Sequence, residues 1–152
     1  MTSKKNKKAI YNFFYQKQNE LYDPIAIIEI ESFNKKIKNE FTAIIDTGSQ
    51  ITLIATEILK EFNFPSTSSN RRIEFAGTGS KLQSEDTVVY FCRIRFKHDT
   101  TQEIKYQTFK VYSCSRQFLR QDIILGMDFL KHFEVCFLGE KEELSITYRY
   151  DR

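Results

Sequence analysis

The chain has 152 residues, a length for one domain with a sizeable core, and 14 Phe and 8 Tyr to fill it. No apolar run reaches the eighteen or so residues of a membrane span, and the basic N-terminus lacks the apolar core of a signal peptide. Lys4, Lys5, Lys7 and Lys8 outnumber the whole net charge of +3, so the body is not a basic platform and a nucleic-acid partner is not expected.

Residues 1–20 read as a basic, aromatic N-terminal tail, with the first nine disordered and the patch Tyr11–Tyr15 packing on the domain. The domain proper is expected over 21–152. Asp23-Pro24 is a turn signal, Ile25 to Ile30 a strand, and Asn34 to Asn39 a polar hairpin connection. Phe41 to Ile45 returns as a strand, and a second apolar run, Ile51 to Ile54, follows a polar turn. Thr56 to Phe62 has helical spacing, with Ile58, Leu59 and Phe62 on one face, and Pro65 to Ser69 is a loop. Arg71 to Leu82 carries Gly77 and Gly79 between extended arms, which predicts a hairpin with a mobile tip.

Val88 to Phe96 alternates as a long strand, Lys97 to Gln102 is a polar turn, and Ile104 to Tyr112 is the partner strand. Ser113 to Arg120 is a loop with a basic edge. Ile123 to Leu125 is a buried strand and Met127 to Phe133 a short helix. Val135 to Phe137 and Leu144 to Tyr148 close the chain as a hairpin, the latter an edge strand with one apolar face. About nine strands and one or two short helices make the class all-β, with a partly closed barrel.

Three cysteines, Cys92, Cys114 and Cys136, have no Cys-x-x-Cys spacing and read as reduced, mostly buried thiols in a cytoplasm-like compartment. His98 and His132 have no partner cluster, so neither a metal nor another cofactor is expected.

Chemistry concentrates at Asp46-Thr47-Gly48-Ser49, an acid at the tip of an apolar support. A carboxylate there costs free energy unless it is hydrogen-bonded or has a task. Gly48 permits a tight path, and Thr47 and Ser49 supply hydroxyls. The plain reading is a β-turn in which Asp46 caps its own backbone.

Some eighty residues downstream lies Asp122-Ile123-Ile124-Leu125-Gly126-Met127-Asp128-Phe129-Leu130. The two segments, in this order, resemble the retropepsin-like aspartic proteases, over roughly Ile25 to Tyr148. The resemblance implies a partly closed β-barrel, active as a symmetric homodimer that cleaves extended polypeptide at apolar junctions. It implies that Asp46, Thr47 and Gly48 form the catalytic loop, with Thr47 bonding across the twofold axis and Ser49 orienting the carboxylate. It further implies that Phe75, Ala76, Gly77 and Thr78 belong to a flap over the substrate, and that Ile124, Leu125 and Gly126 support the loop. Two carboxylates must share one proton, one activating a water and the other donating to the scissile carbonyl. With one Asp-Thr-Gly per chain, the second acid comes from a second copy.

The match departs from the retroviral pattern at Gln50 and Met127, where the family usually has an Asp and an Arg that form an ion pair. Both ends are absent together, which is closer to the DNA-damage-inducible-protein type and to some retrotransposon and plant pararetrovirus proteases. The usual Gly near Ser84 to Asp86 is also missing. Two other readings compete with the enzyme: a silent fold kept for dimerisation or peptide docking, and a β-rich domain whose basic arm binds nucleic acid or acidic partners. The body has no aromatic–basic repeat to support the last.

Overall fold

The structure is a computed structural model that describes residues 7–12, 14–16, 21–76, 82–97, 105–119, 121–141 and 143–148. Among these it is all-β, with two short α-helices, as expected. The strands are β1 (Lys7–Asn12), β2 (Phe14–Gln16), β3 (Leu21–Asp23), β4 (Ile25–Glu31), β5 (Lys38–Ile45), β6 (Leu53–Ala55), β7 (Ser66–Ala76), β8 (Leu82–Phe96), β9 (Gln107–Cys114), β10 (Ile123–Leu125), β11 (Phe133–Leu138) and β12 (Glu143–Tyr148). Helix α1 is Thr56–Glu61 and α2 is Met127–Leu130. Neither is long and apolar enough to cross a membrane.

The main sheet runs β4-β5-β10-β6-β9-β8-β7, and β4 also pairs with β8. That extra pairing curls six of the strands into a barrel and leaves β7 outside it. β-Branched and aromatic residues pave the interior. Ile28, Ile30, Ile54, Ile94, Phe96 and Ile123 are all fully buried. Helix α2 seals one end through Phe129, whose ring lies 5.5 Å from Phe96, 4.4 Å from Phe109 and 5.0 Å from Phe133. Such aromatic contacts contribute beyond the area they bury.

Strand β8 serves two cores. Cys92, Ile94 and Phe96 face the barrel, whereas Val89 lies in a second cluster with Leu53, Ile73, Tyr112 and Cys114. The alternation in the sequence, which set Val88 and Tyr90 on the face of Cys92, does not anticipate this second core. An ion-pair network reinforces the closing seam. Arg95 donates to Glu29 Oε2 from Nε at 2.9 Å and from Nη2 at 2.7 Å, and the Tyr106 hydroxyl donates to the same oxygen at 3.0 Å. Partial burial raises the Glu29 pKa, but the bonds from Arg95 and Tyr106 and the charges of Arg95 and Lys38 outweigh it, so the net shift is downward.

Three sequence expectations are corrected. Lys7, Lys8 and Ala9 are not disordered: they begin β1, which pairs antiparallel with β12. β12 is therefore no edge. It lies between β1 and β11, and its Leu144 and Ile146 are fully buried in the barrel core. The Ser66 to Ser69 run is the start of β7, with a register shift between Ser66 and Asn70 that absorbs its poor fit to the ladder. The turn expected at Lys97 to Gln102 falls mostly outside the described residues.

Candidate active site

Asp46 sits just past the C-terminal end of β5. The two apolar runs that flank its turn do not pair with each other. β10 lies between them, parallel to β5 (Ile124 beside Ile44) and antiparallel to β6 (Ile124 beside Leu53). The loop 46–52 must therefore arch over the end of β10. The second run also enters its strand later than expected, at Leu53.

Where the loop crosses β10, the chain leaves that strand at Gly126. A Cβ there would lie 2.2 Å from the carbonyl oxygen of Ile51 and 2.5 Å from its carbon. The backbone at Gly126 has φ −95° and ψ −178°, which any residue can adopt. The glycine is required by contact, not by conformation. It lets two backbones touch, and the contact is laced by hydrogen bonds. Asp46 N donates to Leu125 O at 3.0 Å, Met127 N to Ser49 O at 2.8 Å, and Asp128 N to Gln50 O at 3.2 Å.

A buried hydroxyl ties these strands together. Thr52 is fully buried; its Oγ1 accepts the Gly126 N–H at 3.0 Å and donates to Asp128 Oδ1 at 2.7 Å. The sequence reading did not single out Thr52. The signal was available: a hydroxyl inside the apolar run Ile51–Ile54 has to find a partner when buried.

The Asp46 carboxylate is half-buried, and its Oδ1 accepts the Gly48 N–H at 3.0 Å. This is the bond of the plain β-turn reading, and it also fixes the carboxylate's direction. The Ser49 Oγ donates to Ile51 O at 2.7 Å. Thr47 and Gly48 are exposed at the loop tip. Ile124, Leu125 and Gly126 lie directly against the loop. The two acids that flank β10 are engaged elsewhere, Asp128 with Thr52 and Asp122 with Arg116 Nε at 2.9 Å.

The arms β7 and β8 form the expected hairpin, paired out to Ala76 and Leu82, and run unbroken past Ser84 to Asp86. Phe75 and Ala76 end β7. Gly77 and Thr78 fall outside the described residues; the described residues bring together the loop and its support.

The segment that holds this braced loop and its glycine crossing, residues 33–132, is matched by a family model described as gag-polyprotein putative aspartyl protease. The chain belongs to this family. Among solved structures it is similar to a retropepsin-like aspartic protease from Rickettsia conorii, with 16% identity, a TM-score of 0.53, and 95% of this chain and 96% of that chain covered. It is also similar to the retroviral protease-like domain of Ddi1 from Leishmania major, with 14% identity, a TM-score of 0.47, and 82% and 87% covered. Among curated proteins none matches. The Rickettsia structure shares the retropepsin-like fold.

Proposed function

We propose that two copies of this chain assemble about a twofold axis as an aspartic endopeptidase, each contributing Asp46. The observation that carries this reading is the isolation of Asp46: it stands on a loop rigidly braced by Gly126 and Thr52, while the acids flanking β10 are engaged elsewhere. A symmetric pair of such loops sets two carboxylates side by side, where they cannot both ionise and share a proton. One is then the base for a water and the other the acid for the scissile carbonyl. The exposed tip, Thr47 and Gly48, faces the partner copy and the substrate. The hairpin ending in Phe75 to Thr78 is the flap, and an extended polypeptide binds beneath it by strand addition. Cys92, Cys114 and Cys136 are free thiols, which suits a reducing, cytoplasmic setting.

The test is a digest of a library of extended peptides by the wild-type chain and by Asp46→Asn, followed by a dilution series with sedimentation and turnover measured on the same samples. The amide keeps the shape of the loop but cannot serve as base, so Asp46→Asn is expected to be folded and inactive. Activity per chain is expected to fall on dilution. Undiminished cleavage by Asp46→Asn, or full activity from a monomer, overturns the mechanism. A wild type that binds peptides and cuts none would favour the docking module.

A further inference from the structure

Strand β9 is covered unevenly. Its whole length from Gln107 to Tyr112 pairs with β8 on one side, but on the other side β6 reaches only Tyr112 to Cys114. Tyr112 N donates to Thr52 O across that second side, and strand alternation points the backbone groups of Lys110 and Thr108 the same way. Among the described residues no strand pairs with that edge of Gln107–Lys110. It opens into a cleft of about 510 Å³, walled across from β9 by the end of α2.

Positive charge prevails in the cleft. Lys110 and Lys131 line it, both exposed, with the exposed His132 beside them, against one carboxylate, Asp128, which already accepts the Thr52 hydroxyl. Neither lysine has a carboxylate partner among the described residues. Lys110 Nζ lies 5.8 Å from the centroid of the Tyr112 ring, and a further cation, Arg71 Nη1, is 3.3 Å from the Tyr112 hydroxyl. Ile51, in the loop that bears Asp46, forms the cleft's inner wall. A free strand edge beside unpaired lysines selects an occupant: backbone groups for extended chain, and positive charge for acidic side chains.

We propose that this cleft is a docking site for an acidic, extended segment of the polypeptide substrate, which adds as a strand along Gln107–Lys110 and places carboxylates on Lys110 and Lys131. The site deepens the endopeptidase reading and rests on it for the identity of the occupant, since a segment held here is continuous through Ile51 with the loop of Asp46. Neutral substrates would gain nothing from it, and salt would weaken it because its charges are exposed.

The experiment uses the full chain carrying Asp46→Asn, so that binding is read without turnover, and two fluorescein-labelled peptides of alternating Glu and Val or Lys and Val. The Glu peptide is expected to bind and the Lys peptide not. Lys110→Glu with Lys131→Glu should weaken the Glu peptide about tenfold, and the Gln pair about threefold. If circular dichroism shows the Glu pair unfolded, the Gln pair decides. Hydrogen exchange at the Thr108 and Lys110 amides should slow when the Glu peptide is added. Equal binding of the two peptides, no change in the Gln pair, or unchanged exchange at both amides overturns the proposal. So does a single-stranded oligonucleotide that binds where the Glu peptide does not. A wild type that cuts no peptide would count against the endopeptidase reading, whereas these binding outcomes stand apart from it.

Discussion

Replacing Gly126 by Ala puts one methyl group into the tightest crossing of the site. The new Cβ would sit 2.2 Å from Ile51 O, where 3.0 Å is the practical limit, so the loop must retreat by about 0.8 Å. It cannot retreat freely, because Met127 N to Ser49 O, Asp128 N to Gln50 O and Gly126 N to Thr52 Oγ1 hold both sides. Overpacking of this kind costs about 1–3 kcal/mol, and each stretched hydrogen bond adds about 1 kcal/mol. The expected loss is about 4–6 kcal/mol, a large share of the stability of a small domain. Gly139, whose Cβ position has nothing within 4 Å, is the control and should accept Ala almost silently. Urea unfolding at fixed protein concentration reads the difference, and peptide turnover on the same samples reads the displacement of Asp46. A Gly126→Ala chain within about 1 kcal/mol of wild type and equally active would refute the claim that contact fixes this glycine.

Thr52→Val keeps the shape but leaves the Gly126 N–H and Asp128 Oδ1 without their shared partner; it should cost about 2–4 kcal/mol, read as a lower denaturant midpoint with an unchanged slope. Glu29→Gln tests the closing seam. Because the folded pKa of Glu29 lies below its ordinary value of 4.5, its contribution is present above that value and fades as pH falls through the folded pKa. The variant should therefore be less stable than wild type at neutral pH, and the gap should close in acid; a gap independent of pH would count against the ion-pair account. Deleting residues 1–12 should destabilise the domain, since it strips β1 from β12 and exposes a strand edge over the buried Leu144 and Ile146; thermal unfolding of the truncated chain at several concentrations would show an unaltered midpoint if β1 were dispensable.

The loop of Asp46 and its support were legible because their signals are local. β-Branched runs ending in a polar turn at Asp46, and an apolar triplet ending in Gly126, each announce themselves within a few residues. The insertion of β10 between β5 and β6 was not legible, since a three-residue apolar strand carries no mark of its neighbours or of their directions. β1 was misread because lysines signal solvation, and solvation describes a disordered tail and an outer strand equally well. The seam at Glu29 was hidden for a related reason: Glu29, Arg95 and Tyr106 are far apart in sequence and meet through the β4–β8 pairing. The second core around Val89 was not legible because alternation separates two faces of β8 but does not show that both are covered.

The absent ion pair can be understood from the same bonds. Gln50 is exposed, and Met127, with 42% of its surface accessible, points away from the crossing. Their backbones nonetheless brace the loop, because Asp128 N reaches Gln50 O and Met127 N reaches Ser49 O. The side-chain tie here lies two residues along the first segment and one along the second, at Thr52 and Asp128, and further inward, since Thr52 is fully buried. A hydroxyl–carboxylate bond at 2.7 Å in that position is screened by salt much less than an exposed Arg–Asp pair would be. It also lies wholly within one chain. The loop that presents Asp46 is thus braced within the single chain, so the proposed assembly would not need to order it, and the free energy of pairing would not be spent on fixing the acid's direction.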